Sequence, residues 1–572
     1  MKNRNTVQAL VTLLAASLLT ASCSDGAAPE PSVLEAEEKP GITVVLNARI
    51  HSMDAGNTVF APGAMAIAGD GTIEGIGDQD AISDAFPNAE TIDLGGRYVL
   101  PGLIDSHAHL AGLAQSFTRA NLIGAQSKEE VIERLVEFEA TLPEGGWLLG
   151  RGWDQNDWPE KVFPSSADLD TAFPDRAVWL ERIDGHAGWA NGRAMAEADR
   201  DFTGDWQVQG GDIHRDEQGE PTGMFIDLAM KFIDDAVPPE SPELMSRALD
   251  MATQAMVSQG LTGLHEAGTS LELMQLYRAK IEQGALPVRV YAMANGMGDA
   301  LEWLCENGSF DDPSGLLLMR SVKLYADGAL GSRGAALLED YSDDAGNSGL
   351  MFLEPETLDE QLRRILSCGL QVGTHAIGDR ANREVLDALE RVMPEFPDNP
   401  GRHRIEHAQI VAPADIPRFA ELGVIAAMQP IHATSDMYWA EDRLGPHRIA
   451  GAYAWTSLAD SGARLAFGSD FPVEQVNPML GIYAAVTRQD LESWPEGGWL
   501  PQERVSRETA LRGYTIDAAY AGFMEDRVGS LEAGKQADFI VLDRDLLQVP
   551  AEEIPETKVL QTWVAGKKVY ER

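Results

Sequence analysis

The chain is poor in cysteine, in basic residues and in long apolar runs. Only three of its 572 residues are cysteines, and none stands in a CxxC spacing. Lys and Arg total 45 against 90 Asp and Glu, a formal net charge of -45. Such a surface repels phosphate backbones and excludes nucleic acid as a partner. The acidic residues form no low-complexity tail, so they read as a solvated acidic surface. The apolar run VQALVTLLAASLLT, Val7 to Thr20, is shorter than the ~20 residues that a bilayer-spanning helix needs. What remains is a chain with 44% hydrophobic residues. That is ample for a large core, and the length predicts about two to four domains.

The first residues read as a targeting segment. Lys2 and Arg4 precede the short apolar run, as in a secretory signal peptide. Leu19-Thr20-Ala21-Ser22-Cys23 then resembles a bacterial lipobox, so residues 1–23 read as a lipoprotein-type signal peptide and lipobox in which Cys23 is lipidated and becomes the new N-terminus. Residues 24–41, rich in Pro, Ala and Glu, read as a flexible tether. An exported, lipid-anchored protein of the cell envelope is the expectation, with the membrane reached through Cys23. In that compartment Cys305 and Cys368 could pair, but they read more simply as buried small hydrophobes.

Short strand-like runs between Asn, Gly and Asp turns lie at both ends of the remaining chain. They are ITVVLNARIHSM, AMAIAGDGTIEGIG and AETIDLGGRYVL in residues 42–98, and GSLEAGKQADFIVLD and VLQTWVAGKKVYE in residues 521–572. Neither end suffices for a stable sheet, so the two together predict one composite β-sandwich domain. Residues 99–520 alternate between strand and helix patterns. SPELMSRALDMATQAMVSQG has Ser241 as N-cap, Pro242 at the first helical position and Gly260 as stop, with Leu244, Ala248, Met251 and Ala255 on one face. Thr357 and Glu360 form a capping-box pattern, as do Ser127 and Glu130. Eight strand candidates follow one another: YVLPGLIDSHAH, GLTGLHEAG, PVRVYAMANG, RSVKLYADGAL, LQVGTHAIG, HRIEHAQIV, VIAAMQPIH and RLAFGSDFPV. Eight βα units predict an α/β fold of the (β/α)8, or TIM, barrel type, with its chemistry at the C-terminal strand ends. About 150 residues separate the first two strands, so a large insertion, about 145–239, is expected after strand 1. Its tryptophans, 147, 153, 158, 179, 189 and 206, either roof the active site or form the insertion's own core.

Six polar residues fall at those strand ends: His107 and His109 on the first, Lys323 on the fourth, His375 on the fifth, His407 on the sixth and Asp470 on the eighth. Alternation along a strand points His107 and His109 the same way. Neutral imidazole and carboxylate are ligands that zinc prefers, and five such residues around one barrel mouth make a metal site.

The stretches LPGLIDSHAHL, SVKLYADGALGSR, THAIGD, RIEHAQ, QPIHATSD, GSDFPVEQVNPM and GSLEAGKQADFIVLD resemble the amidohydrolase superfamily of metal-dependent hydrolases. The likeness is to its amidohydrolase-3 branch, which includes N-substituted formamide deformylase-like proteins, and it extends from about Ile42 to Arg572. The resemblance implies that His107, His109 and Asp470 hold one divalent ion, most simply zinc, and His375 and His407 a second. Lys323 would bridge the two as a carbamate formed with CO2, because a plain ammonium cannot ligate; a salt-bridged Lys323 over a single ion is the alternative. Asp470 would also be catalytic, moving the proton of the attacking water. His186, His265, Arg333 and His432 are the candidates at the substrate, with a place behind the metal ligands the alternative for His265 and loop anchoring the alternative for Arg333. GSRGA and GSDFP depart from the GSRTA and GSDAP common in the family and alter the pocket, so a formamide is not assumed.

The expected function is hydrolysis of a non-peptide C–N bond, amide-type, in a small molecule. A lactone or ester hydrolase on the same centre and a non-catalytic lipid-anchored binding protein are the alternatives. A homodimer is the remaining partner expectation.

Overall fold

The computed structural model describes residues 41–142, 145–182, 187–208, 211–238, 241–331 and 333–572. The leader, the tether and Cys23 lie outside the described residues.

Eight strands form the barrel: β1 (Leu103–Ala108), β2 (Leu261–Thr269), β3 (Arg289–Asn295), β4 (Leu317–Tyr325), β5 (Gln371–Ala376), β6 (Arg404–His407), β7 (Ile425–Met428) and β8 (Leu465–Phe467). Each pairs in parallel with the next. The edges meet where the Asp470 N–H donates to the His107 carbonyl at 2.8 Å and Ser469 Oγ donates to Asp105 Oδ2 at 2.6 Å. All eight strand candidates are therefore barrel strands. The run YVLPGLIDSHAH splits in two, with Glu90–Pro101 going to another sheet and β1 starting after Gly102. A Cβ on Gly102 would stand 2.2 Å from Thr262 Oγ1, so only glycine lets the chain cross between the two sheets there.

Strands from both termini make the second domain. Lys567–Glu571, Val559–Val564, Phe539–Leu542, Glu90–Pro101, Thr43–His51, Val59–Ile67 and Ile73–Asp78 pair in that order as one seven-stranded path. Val45, Met65, Ile67, Val99, Phe539, Val541 and Trp563 share its core. A bidentate pair, Arg289 Nε to Asp538 Oδ2 at 2.6 Å and Nη2 to Oδ1 at 2.8 Å, is buried where this domain meets β3. Such paired, desolvated forks fix geometry as well as adding energy.

The insertion carries its own six-stranded sheet, which begins at Ala120–Asn121, earlier than residue 145. Helix Lys128–Glu139, capped by Ser127 as expected, gives Val131 and Leu135 to the same core as Trp153, Trp158 and Trp189. Those three rings lie 5.9–6.4 Å apart, pairings worth about 0.5–1.5 kcal/mol each beyond burial. Trp179 belongs to a second insertion core, against which Trp147 and Trp206 pack. The tryptophans thus build the insertion itself.

Three local expectations are corrected. Helix Pro242–Ser258 has its Ser241 cap, but it buries Ala248, Leu249, Ala252 and Met256 while Met251 is 51% exposed. The helix expected to start at Thr357 starts at Pro355, because proline at the first position needs no hydrogen-bond partner for its nitrogen. Cys305 and Cys368 are not buried hydrophobes; both are half-buried and joined in a disulfide between the helices that follow β3 and β4. No helix among the described residues is long and apolar enough to cross a membrane.

Candidate metal centre

The C-terminal ends of the barrel strands gather the expected polar residues. His107 sits on β1, Lys323 on β4, His375 on β5 and His407 on β6. His109 and Asp470 lie just beyond β1 and β8. His407 and Asp470 both adopt left-handed backbone, at φ 75° and 61°, which turns their side chains out of strand alternation. Strained conformations of this kind are held in place only where the surroundings fix them, and they cluster at functional sites.

Asp470 is the hub. Its Oδ1 lies 3.2 Å from His109 Nε2 and 3.6 Å from His107 Nε2, and its Oδ2 lies 3.9 Å from His432 Nε2. One ligand atom each from His107, His407 and Asp470 falls within 4.8 Å of the others. The rings of His375 and His407 are 4.5 Å apart. Lys323 Nζ approaches His107 Nε2 at 3.1 Å, and no carboxylate forms an ion pair with it among the described residues. The tight triad takes one histidine from each of the two expected ligand sets, with His109 and His375 flanking it.

The donors fit a divalent ion. Atoms held about 2.0–2.1 Å from a tetrahedral ion lie about 3.3–3.4 Å apart, and the two Asp470–imidazole distances bracket that value. The Nε2 atoms of His375 and His432 are buried without a hydrogen bond. Burial, and then the charge of Lys323, holds His107 well below the ordinary imidazole range. His407 is held down by burial and then by His375 and His107. Burial and Lys323 bring His375 to about 4. These imidazoles are therefore neutral and offer lone pairs. Burial brings the Lys323 amine down to about 8, although Glu406 and Asp470 pull the other way. Burial raises the Asp470 carboxyl, but the close approach of His109, its Nε2 3.2 Å from Oδ1, leads the effects that outweigh burial and keep it well below the carboxylate range.

Of the residues expected at the substrate, one reaches the centre. His432, on helix Pro430–Asp436 after β7, stacks over His407 at 6.1 Å and faces Asp470. His265 does not face a substrate: it is fully buried inside the barrel, its Nδ1 2.6 Å from Arg404 Nη1 and its ring 4.9 Å from Tyr291. Arg333 is engaged elsewhere, with Nε and Nη2 donating to Asp343 at 3.1 and 2.9 Å, so it anchors its loop. His186 lies outside the described residues.

Four residues at the centre carried no expectation. Glu406 Oε2 accepts from His107 Nδ1 at 2.5 Å, and Gln429 Oε1 is 2.8 Å from His407 Nδ1. Glu266 accepts the Leu110 N–H at 2.5 Å beside His109. Asp327 accepts the N–H groups of Ala336, Ile377 and Gly378 and stands 3.5 Å from His375 Nε2. Glu406, Gln429 and Glu266 each adjoin a strand-end histidine in sequence or lie one strand away, which is the only signal the sequence carries for them.

Comparison with known proteins agrees with this geometry. The model of the amidohydrolase family matches residues 90–570. The Arabidopsis thaliana protein LONG AFTER FAR-RED 3 is 35% identical over 492 residues, 84% of this chain and 83% of its own. The N-substituted formamide deformylase of Arthrobacter pascens is 28% identical over 559 residues, 92% of this chain and 98% of its own. A solved structure of an uncharacterized metal-dependent hydrolase from Pyrococcus horikoshii superposes with a TM-score of 0.75 at 27% identity, covering 89% of this chain and 99% of that one. The chain belongs to the amidohydrolase family of metal-dependent hydrolases.

Proposed function

We propose that this protein hydrolyses a non-peptide, amide-type C–N bond of a small molecule on one or two divalent transition ions, most simply zinc. The observation that carries the reading is the convergence of His107, His407 and Asp470, each with a ligand atom within 4.8 Å of the others, at the catalytic end of the barrel. His107, His109 and Asp470 would hold the inner ion and His375 and His407 a second, with Lys323 bridging as a carbamate. The Arthrobacter relative is by name a deformylase of N-substituted formamides, which favours an amide over an ester.

Bound ions supply Lewis acidity, polarising a carbonyl and lowering the pKa of water. The chain's own residues do the rest. Asp470 is ionised, so it accepts the proton of the attacking water and returns it to the departing amine. His432, across Asp470 Oδ2, is placed to donate to the oxygen on which charge develops. The buried imidazoles stay neutral and leave the carboxylate as the group that moves protons.

A panel of N-acyl amines and lactones, assayed for free amine and for acid with metal-loaded protein, tests the reading. Amine release from the N-acyl amines is expected. Turnover of lactones alone would move the assignment to ester hydrolysis, and tight binding without turnover would make the protein a binding protein.

From the leader-like start and the lipobox pattern we further propose that the protein works outside the cytoplasm on a lipid anchor at Cys23. The Cys305–Cys368 disulfide supports export, because such bonds persist in oxidising compartments. Mass spectrometry of the mature N-terminus should find a lipid-modified Cys23; an unmodified end elsewhere would remove the anchor.

A further inference from the structure

We propose that Glu406 positions His107 for the metal, and that Arg404 locks Glu406 in place. The inference rests on the metal-dependent reading above and adds to it the residues that set the orientation of a ligand.

Glu406 and Arg404 sit two apart on β6, so their side chains enter the barrel on the same side. Both are fully buried. The guanidinium faces the carboxylate, with Nη2 donating to Oε2 at 2.9 Å and Nε in ionic contact 2.8 Å from Oε1, without hydrogen-bond alignment. Nη2 also donates to the Ser106 carbonyl at 2.6 Å, one residue before His107. Nη1 lies 2.6 Å from His265 Nδ1, and because arginine has no acceptor, that imidazole nitrogen must be the acceptor. Arg404 therefore grips β1, β2 and its own neighbour at once.

The consequence falls on His107. A carboxylate only accepts, so Nδ1 of His107 carries the proton and Nε2 keeps its lone pair. The metal-free protein agrees with this tautomer: Lys323 Nζ, a donor only as the ammonium that predominates at pH 7, lies 3.1 Å from that Nε2. A ligand histidine whose other nitrogen is tied to a carboxylate is fixed in ring orientation and made more basic. The barrel is also shaped to admit the carboxylate. A Cβ on Gly373 of β5 would stand 2.6 Å from Glu406 Oε1, so a side chain there would displace it.

Metal dissociation constants, measured by chelator competition on stripped wild-type, Glu406→Gln and Glu406→Leu proteins, test the proposal. Gln keeps an acceptor without the charge and Leu keeps neither, so Kd should rise in that order, by about 10–100-fold for Leu. A purely structural Glu406 would lower the Tm of the metal-free protein and leave Kd alone. Because either variant leaves Arg404 without its counter-charge, the double variant Arg404→Met, Glu406→Leu, which removes both charges, is measured beside them. A folded double variant that binds metal as tightly as wild type would overturn the proposal. Wild-type protein that binds no metal would overturn the functional reading and this inference with it, whereas metal-binding wild type with unaltered variants overturns the inference alone. Should no variant fold, 15N-histidine NMR of the wild-type holoprotein decides: a low-field Nδ1 proton on His107 is expected, and a His107 protonated at Nε2 would refute it.

Discussion

Supplying metal-stripped protein with 13C-labelled bicarbonate and divalent ion should label Lys323 alone. A carbamate forms only from the neutral amine, so the amine's pKa sets how much of it can react. With burial bringing Lys323 down to about 8 from 10.5, about one molecule in ten carries a neutral amine at pH 7. An exposed lysine would be neutral in about one molecule in three thousand. The reactive fraction is therefore about 300-fold larger at that pH, and it rises about tenfold per pH unit until it levels off above pH 8. Lys323 is also free of any carboxylate partner among the described residues, so no ion pair has to break first. The assay is 13C NMR of wild type and Lys323→Ala after reconstitution at pH 6.5 and pH 8. One carbamate carbon per wild-type chain, formed faster at pH 8 and absent from Lys323→Ala, is expected. Wild-type protein that takes up its full metal complement without a carbamate signal would refute the reasoning and return Lys323 to a structural role.

Asp470→Asn should keep at least one ion but lower kcat by about 10²–10⁴-fold with little change in KM, as expected when a proton-transfer group is lost; a rate near wild type would remove that role. Replacing both Cys305 and Cys368 by alanine removes a cross-link between positions 63 apart in sequence and should lower unfolding stability by about 2–4 kcal/mol, read by denaturant melts; an unchanged midpoint would mean the bond constrains nothing. Trp189→Ala opens the insertion core and should cost about 3–5 kcal/mol there while leaving metal content unchanged; loss of metal would show that the insertion braces the centre.

The barrel was legible because its strands are short apolar runs ending in chemistry-bearing residues. PGLIDSHAHL states both facts in ten residues. The ligand-type residues were legible for the same reason, since histidine pairs and a lone carboxylate at strand ends have few other uses. The partners that orient them were not. Glu406 and Gln429 look like ordinary polar residues until β6 and β7 stand beside β1, and nothing local shows that Arg404 reaches Ser106 and His265. Between the two places open to His265, the barrel mouth and the interior behind the ligands, only the packing against Tyr291 decides. Between orienting a substrate and anchoring its loop, Arg333 does the second, through Asp343 ten residues away on the same loop, a pairing set by loop conformation rather than by periodicity. The insertion's early start was hidden because Lys128–Glu139 carries the pattern of a barrel helix, and its helical period is silent about which core it faces.

Metal content per chain is the measurement that tests the central claim most directly. It is made on protein beginning after Cys23, purified without chelator and with bicarbonate present. The account predicts one or two transition-metal ions per chain: two, falling to one or none in Lys323→Ala, with the carbamate bridge, and one, unchanged in Lys323→Ala, without it. Protein that holds no ion, even after reconstitution, would contradict it.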